Sequence, residues 1–227
     1  MPKPNSRFTA WLALSAACLL GACTALPVSG ADTWREEVLL HDGQKIVVER
    51  SQTYKGRSEP GQPAPIGEHT IRFALPGSGK TITWTSEYGE DLGRTNFNLS
   101  ALHVKNGSPY VIAEPNLCLS YNKWGRPNPP YVAFRHDGNA WQRIAFEALP
   151  PEFTTVNVVK RIRGIDVENL VKARQVNVDQ VAALNAELER PEAKTILRMA
   201  LPPERLCPQY SGGPKAPNAI PLNPAIK

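Results

Sequence analysis

Glu87, Glu90 and Asp91 fall together in Ser86-Glu87-Tyr88-Gly89-Glu90-Asp91-Leu92-Gly93-Arg94. Two carboxyl groups a few ångströms apart can serve as acid and base for glycoside cleavage, and clustered carboxylates can also ligate Ca²⁺. The spacing matches no calcium loop, so these three are weak catalytic candidates beside the plain alternative of a solvated acidic turn. Cys118 to Pro130 offers a second chemistry. Tyr121, Lys123, Trp124 and Arg126 there combine aromatic faces with amide and basic neighbours on a proline-rich stretch. Sugar or peptide binding requires such faces, and a stiff loop lowers the ordering cost. The competing reading has Tyr121 and Trp124 plugging one end of the fold while the prolines end strands.

Other chemistries are excluded by context. Gly77-Ser78-Gly79-Lys80-Thr81 looks like a phosphate loop, but Ala74 stands where its first glycine belongs and Thr81-Ile82-Thr83-Trp84 continues as a strand. A phosphate loop needs a helix there, whose amino end supplies backbone donors. The four histidines, His41, His69, His103 and His136, form no zinc-type spacing and read as surface or turn residues. No Gly-x-Ser-x-Gly elbow occurs. The expected cofactor complement is none, and the expected metal complement is also none.

The first 22 residues carry a different kind of message. Lys3 and Arg7 precede an apolar run from Thr9 to Leu20, the layout of an export signal. That run falls short of the roughly 20 apolar residues needed to cross a bilayer. Its end, Leu20-Gly21-Ala22-Cys23, resembles the lipobox of bacterial lipoproteins. The resemblance implies diacylglycerol on the Cys23 thiol, cleavage before Cys23 and acylation of the new amino terminus. Thr24 in place of Asp implies sorting to the outer membrane. The alternative is ordinary cleavage after Ser29-Gly30-Ala31 with release of a soluble protein.

Composition is consistent with export. The formal charge of +5 falls to about +3 without Lys3 and Arg7, and the basic residues are scattered, so nucleic acid is not an expected partner. Cys118 and Cys207 remain after Cys18 and Cys23 are assigned to the signal and the lipid. In an oxidising periplasm they are expected to form one disulfide closing a loop of about 90 residues, with two separate buried thiols as the alternative.

These residues must be held by something, and the pattern from Thr33 onward is alternating apolar residues broken by turn dipeptides. Four hairpins follow, turning at Asp42-Gly43, Pro76-Gly77-Ser78-Gly79, Asn106-Gly107 and Asp137-Gly138. Two-residue turns place Leu39 opposite Ile46, Val38 opposite Val47 and Phe134 opposite Trp141, which buries the first hairpin on both faces. Glu87 to Asn98 reads as loop or irregular strand, Phe153 to Ile162 as one more strand, and Asp166 to Arg174 and Val178 to Arg190 as helices. Asn177 and Gln180 suit a capping box.

The expected fold is mainly β (α+β): an antiparallel meander of about eight strands forming a curled sheet, sandwich or barrel, with C-terminal helices packed on it. The domain plan is a signal peptide over 1–22, a lipidated Cys23 with a linker over 23–33, one β-rich domain over 34–207 and a flexible tail over 208–227. The expected function is an outer-membrane-anchored lipoprotein exposing a non-catalytic binding or structural module to the periplasm. Its partners are the membrane, through the anchor, and an envelope protein or glycan. The alternatives are an envelope glycan hydrolase using the loop carboxylates and a small-ligand carrier.

Overall fold

The computed structural model describes residues 30–56, 60–61, 65–160 and 165–209. The signal segment, Cys23 and residues 210–227 of the tail lie outside the described residues. Among the described residues nine strands form two sheets, and the mainly β architecture expected from the alternation is present.

The first sheet contains β1 (Ala31–Leu39), β2 (Lys45–Tyr54), β3 (Ile66–Ala74), β4 (Thr81–Thr85) and the short β9 (Gln175–Val176), in the order β4-β3-β2-β1-β9. The second contains β5 (Phe97–Lys105), β6 (Ser108–Pro115), β7 (Val132–His136) and β8 (Trp141–Ile144), in sequence order. All pairs are antiparallel except β1 with β9. The sheets do not close into a barrel. They face each other across one core that joins Val38, Val48, Ile71, Phe73 and Trp84 from the first sheet to Phe97, Leu99, Val111 and Val132 from the second. The opposite face of the first sheet is solvated at Thr33, Arg35, Lys45, Val47, Glu49, Arg72, Thr81, Thr83 and Thr85. Apolar residues on a period of two bury one sheet face and leave the other wet.

The first turn corrects the expected register. Gly43, at φ +85°, is the last residue of a three-residue loop in which its N–H donates to the Leu40 carbonyl at 3.1 Å. Leu40 N–H donates to Gln44 O at 2.8 Å, so Val38 faces Ile46 and Glu37 faces Val47. A slip of one residue moves every side chain to the other face. The hairpin is therefore buried on one side only. The last hairpin is shifted by two, which preserves the faces: Asp137 accepts from the N–H groups of Asn139 and Ala140, widening the turn, and Trp141 faces His136 while Phe134 faces Arg143. The two central hairpins form as expected, with Asn106 at φ 51° and Gly107 at φ 71° in the β5–β6 turn.

Phe153 and the run Val156 to Lys160 are buried, yet the segment is not a strand, which corrects the expectation from its β-branched residues; 161 and 162 lie outside the described residues. Among the described residues its one bridge is Thr155 with Thr195. The reason is visible at the β5 edge, where the Asn157 side chain accepts from Leu102 N–H at 3.0 Å and donates to the carbonyls of Leu102 and Leu39 at 2.7 and 2.9 Å. One amide thus does the work of a neighbouring strand. Phe153 and Val156 pack with Leu149 and Ile196 on the back of the second sheet, while Val158 joins the inter-sheet core.

The described residues also form the helices α1 (Leu117–Lys123), α2 (Ile165–Ala173), α3 (Val178–Ala186) and α4 (Pro191–Lys194). The capping box of α3 is formed by Asn177 and Gln180, with the Gln180 N–H bound to Asn177 Oδ1 at 2.9 Å. This helix stops at Ala186, earlier than Pro191 suggested. Val181 and Leu184 of α3 pack with Val167 and Leu170 of α2 and with Trp34, closing the β1 side of the sandwich.

Candidate functional site

One end of the sandwich is polar inside. Gln52 and His69 are direct cross-strand partners on β2 and β3, and both are buried. His69 N–H donates to the Ser86 hydroxyl at 2.9 Å, where β4 ends and the acidic loop begins. That loop returns through Thr95 and Asn96, whose N–H groups are bound by the Gly89 carbonyl at 2.8 Å and the Ser120 hydroxyl at 3.0 Å. Asn96 also donates to the Ile66 carbonyl at 2.9 Å, so β3, the loop and α1 are hydrogen-bonded into one unit.

The two sequence candidates meet here. Lys123 of α1 reaches Glu87 at 2.9 Å and Asp91 at 3.0 Å, with the Thr95 hydroxyl at 3.4 Å. Its ammonium is largely enclosed, whereas both carboxylates keep solvent contact. Burial by itself lowers the Lys123 pKa, but the hydrogen bonds and charges of Glu87 and Asp91 outweigh it and raise the value. The hydrogen bond from Lys123 holds Asp91 below the usual carboxylate range. A general acid for glycoside cleavage needs the opposite shift, a carboxyl kept protonated near neutrality. Glu90 is exposed and accepts from the Tyr88 hydroxyl. Glu87, Lys123 and Asp91 thus form an ionic clasp between loop and helix. Gly89 makes room for it, since a Cβ at that position would lie 2.5 Å from Lys123 Nζ.

The stretch is a helix rather than a presenting loop, so the reading of Tyr121, Lys123, Trp124 and Arg126 as an exposed binding surface gives way to the competing one, in which Tyr121 and Trp124 plug one end of the fold. Trp124, 4% exposed, caps α1 and packs edge-on against Phe97 at 4.5 Å, with the Arg143 guanidinium over its ring at 5.4 Å. Tyr121, 5% exposed, lies beneath Arg126 at 5.1 Å. The side chains that α1 leaves in solvent are Leu117 and Leu119. Burying a large aromatic contributes about 1.5–3 kcal/mol, and the apolar period here served the core.

Cys118 and Cys207 are joined by a disulfide with Cα atoms 5.3 Å apart, which settles the choice against two separate thiols. Arg126 reinforces the link, donating to the Cys207 carbonyl at 2.7 Å and to the Asn122 side chain at 2.7 Å. Asn128 exchanges two hydrogen bonds with the Leu201 backbone at 2.7 and 2.9 Å. The chain from Leu201 to Cys207 is therefore strapped across the same end that holds the clasp.

Sequence reasoning missed the most buried charges. Glu36 and Arg50 are wholly enclosed, 3.2 Å apart, and Glu36 also accepts from the Trp34 indole at 2.6 Å and from Val159 N–H at 3.1 Å. Burial pushes the Arg50 guanidinium below its ordinary value while the charge and hydrogen bond of Glu36 pull it back. The histidines divide: His41 enters the β1–β2 turn, as expected, whereas His69, His103 and His136 are buried. His69 and His103 are 1% exposed, and burial lowers their pKa values to about 3 and about 4, helped by Arg50 and His41 respectively. His103 stacks on Phe153 at 4.4 Å and His136 meets Trp141 edge-on at 5.2 Å. Among the described residues, no group of three or more His, Cys, Asp or Glu is placed to hold a metal ion. A signal for these positions was available: Glu36, Arg50 and His69 each share the phase of flanking core residues, Trp34 and Val38, Val48, and Ile71 and Phe73.

Compared with known proteins, the chain matches no family model, no curated protein and no solved structure.

Proposed function

We propose that this chain is a lipid-anchored protein of the bacterial envelope, held through Cys23, whose sandwich is a non-catalytic binding or structural module facing the periplasm. The observation that carries the reading is the pairing of Leu20-Gly21-Ala22-Cys23 with a domain whose other mature cysteines form the Cys118–Cys207 disulfide. Disulfides of this kind persist in exported proteins and are rare in the cytosol. Acyl chains contribute about 0.8 kcal/mol per buried CH₂, and several on one residue hold a domain at a membrane that one chain would hold only transiently. Thr24 favours the outer membrane as the destination. An envelope protein or glycan is the partner class for the module, and the ion pairing of Glu87 and Asp91 supports a structural role for the acidic loop over catalysis.

Fractionation of cells making the wild-type protein and Cys23→Ala tests the reading. The wild type is expected with membranes and the variant in the soluble fraction, folded and with its disulfide intact. A processed Cys23→Ala protein that still sediments with membranes would show that lipid at Cys23 is not the anchor.

A further inference from the structure

The polar interior holds a broken chain of hydrogen bonds. From the surface, Asp32 accepts from the Tyr54 hydroxyl, which accepts from Gln52 Nε2 at 3.1 Å. From the deep side, Trp34 and Val159 bind Glu36, which binds Arg50. Between the two runs stand four atoms with no protein partner: Gln52 Oε1, Arg50 Nε and both ring nitrogens of His69. Their residues are at most 1% exposed.

Register places these side chains together. Gln52 is directly opposite His69, Arg50 is two residues along the same face of β2, and Arg50 is close enough to His69 to act on its charge. Directly opposed residues have Cβ atoms about 4.5–5.5 Å apart, a span that one small molecule can bridge between side-chain tips. The valences are complementary. Arg50 Nε–H is a donor and Gln52 Oε1 an acceptor, while neutral imidazole supplies one of each. Leaving such groups unmatched costs about 1–3 kcal/mol apiece; because the two His69 ring nitrogens point away from each other, one water serves Gln52 Oε1, Arg50 Nε and one ring nitrogen, and a second serves the other. An anion fits poorly, because Glu36 already neutralises Arg50 and a second negative charge would sit beside it. A cation fits poorly beside Arg50 itself.

We infer that His69, Gln52 and Arg50 form a binding site for ordered water, with solvent on the His69 ring joining Gln52 Oε1 to Arg50 Nε. The bound water completes one hydrogen-bonded path from Asp32 to Glu36 through the end of the sandwich. A buried water requires two to four polar partners; Gln52 Oε1, Arg50 Nε and one His69 ring nitrogen provide three, and a second water takes the other ring nitrogen. The inference is independent of the envelope reading, since it concerns the interior of the folded domain in any compartment.

The direct test is a high-resolution crystal structure of the wild-type domain with its disulfide intact, combined with NMR of its ¹⁵N-labelled histidines at neutral pH. Expected are solvent peaks about 2.7–3.2 Å from the His69 ring nitrogens, one shared with Gln52 or Arg50, and cross-relaxation between water and the His69 ring N–H. His69→Gln, which keeps a donor and an acceptor, should retain solvent at Gln52; His69→Leu should lose the His69-bound peak. A dry site in the wild type, with His69 bonded directly to Gln52 or Arg50, overturns the inference. Density for a larger organic molecule in place of water overturns it as well.

Discussion

Acid should unfold this domain through its histidines before its carboxylates matter. His69 and His103 titrate in the native state at about 3 and about 4, against about 6.5 for an unperturbed histidine. Between those limits the unfolded chain holds protons that the native state refuses, so stability that is complete above pH 6.5 is lost as pH falls toward 4. One displaced proton is worth about 1.4 kcal/mol per pH unit, so the two histidines together remove up to roughly 3 kcal/mol for each unit below 6. Urea denaturation followed by tryptophan fluorescence is a suitable assay, because Trp34, Trp84 and Trp124 are all at most 4% exposed. The slope of unfolding free energy between pH 6 and 5 should approach that value in the wild type and fall by about half in His69→Gln. A wild-type slope near zero over this interval, or one unchanged by removing His69, would refute the argument that both rings are buried neutral.

Other perturbations address the parts that hold the polar end together. Asn157→Ala strips partners from Leu102 N–H and from the Leu102 and Leu39 carbonyls, and at about 1–3 kcal/mol for an unsatisfied buried group it should cost more than a surface deletion. Equilibrium unfolding reads the loss. Trp124→Ala should cost about 3–5 kcal/mol by opening a cavity against Phe97, and a cost below 1 kcal/mol would place the ring in solvent. Cys118→Ser should unfold about 2–5 kcal/mol more easily than the wild type, and adding reductant to the wild type should reproduce that loss.

Much of the fold was legible because alternation and turn chemistry are local. Asn106-Gly107 fixed one register, and Asn177 with Gln180 marked the start of α3. Asp42-Gly43 and Asp137-Gly138 carry the same dipeptide signal, yet their loops are three and four residues long, because His41 enters the first turn and Asp137 turns its side chain onto the backbone of the second. The segment around Val158 has strand composition, but its place beside β5 is set by one asparagine side chain, a tertiary contact that no periodicity reveals. The candidate site was legible only in pieces. Glu87, Asp91 and Lys123 each stand out in the sequence, but their union depends on how loop and helix close over the end of the sandwich. Trp124 and Tyr121 have the composition of a binding surface and the burial of a core, and sequence composition alone does not separate these.

Lipid at Cys23 is read out by intact-mass and peptide analysis of the mature protein purified from bacterial membranes. The expected amino-terminal peptide begins at Cys23 and carries diacylglycerol and amide-linked acyl mass. A mature chain beginning elsewhere, or at an unmodified Cys23, would contradict the lipid anchor.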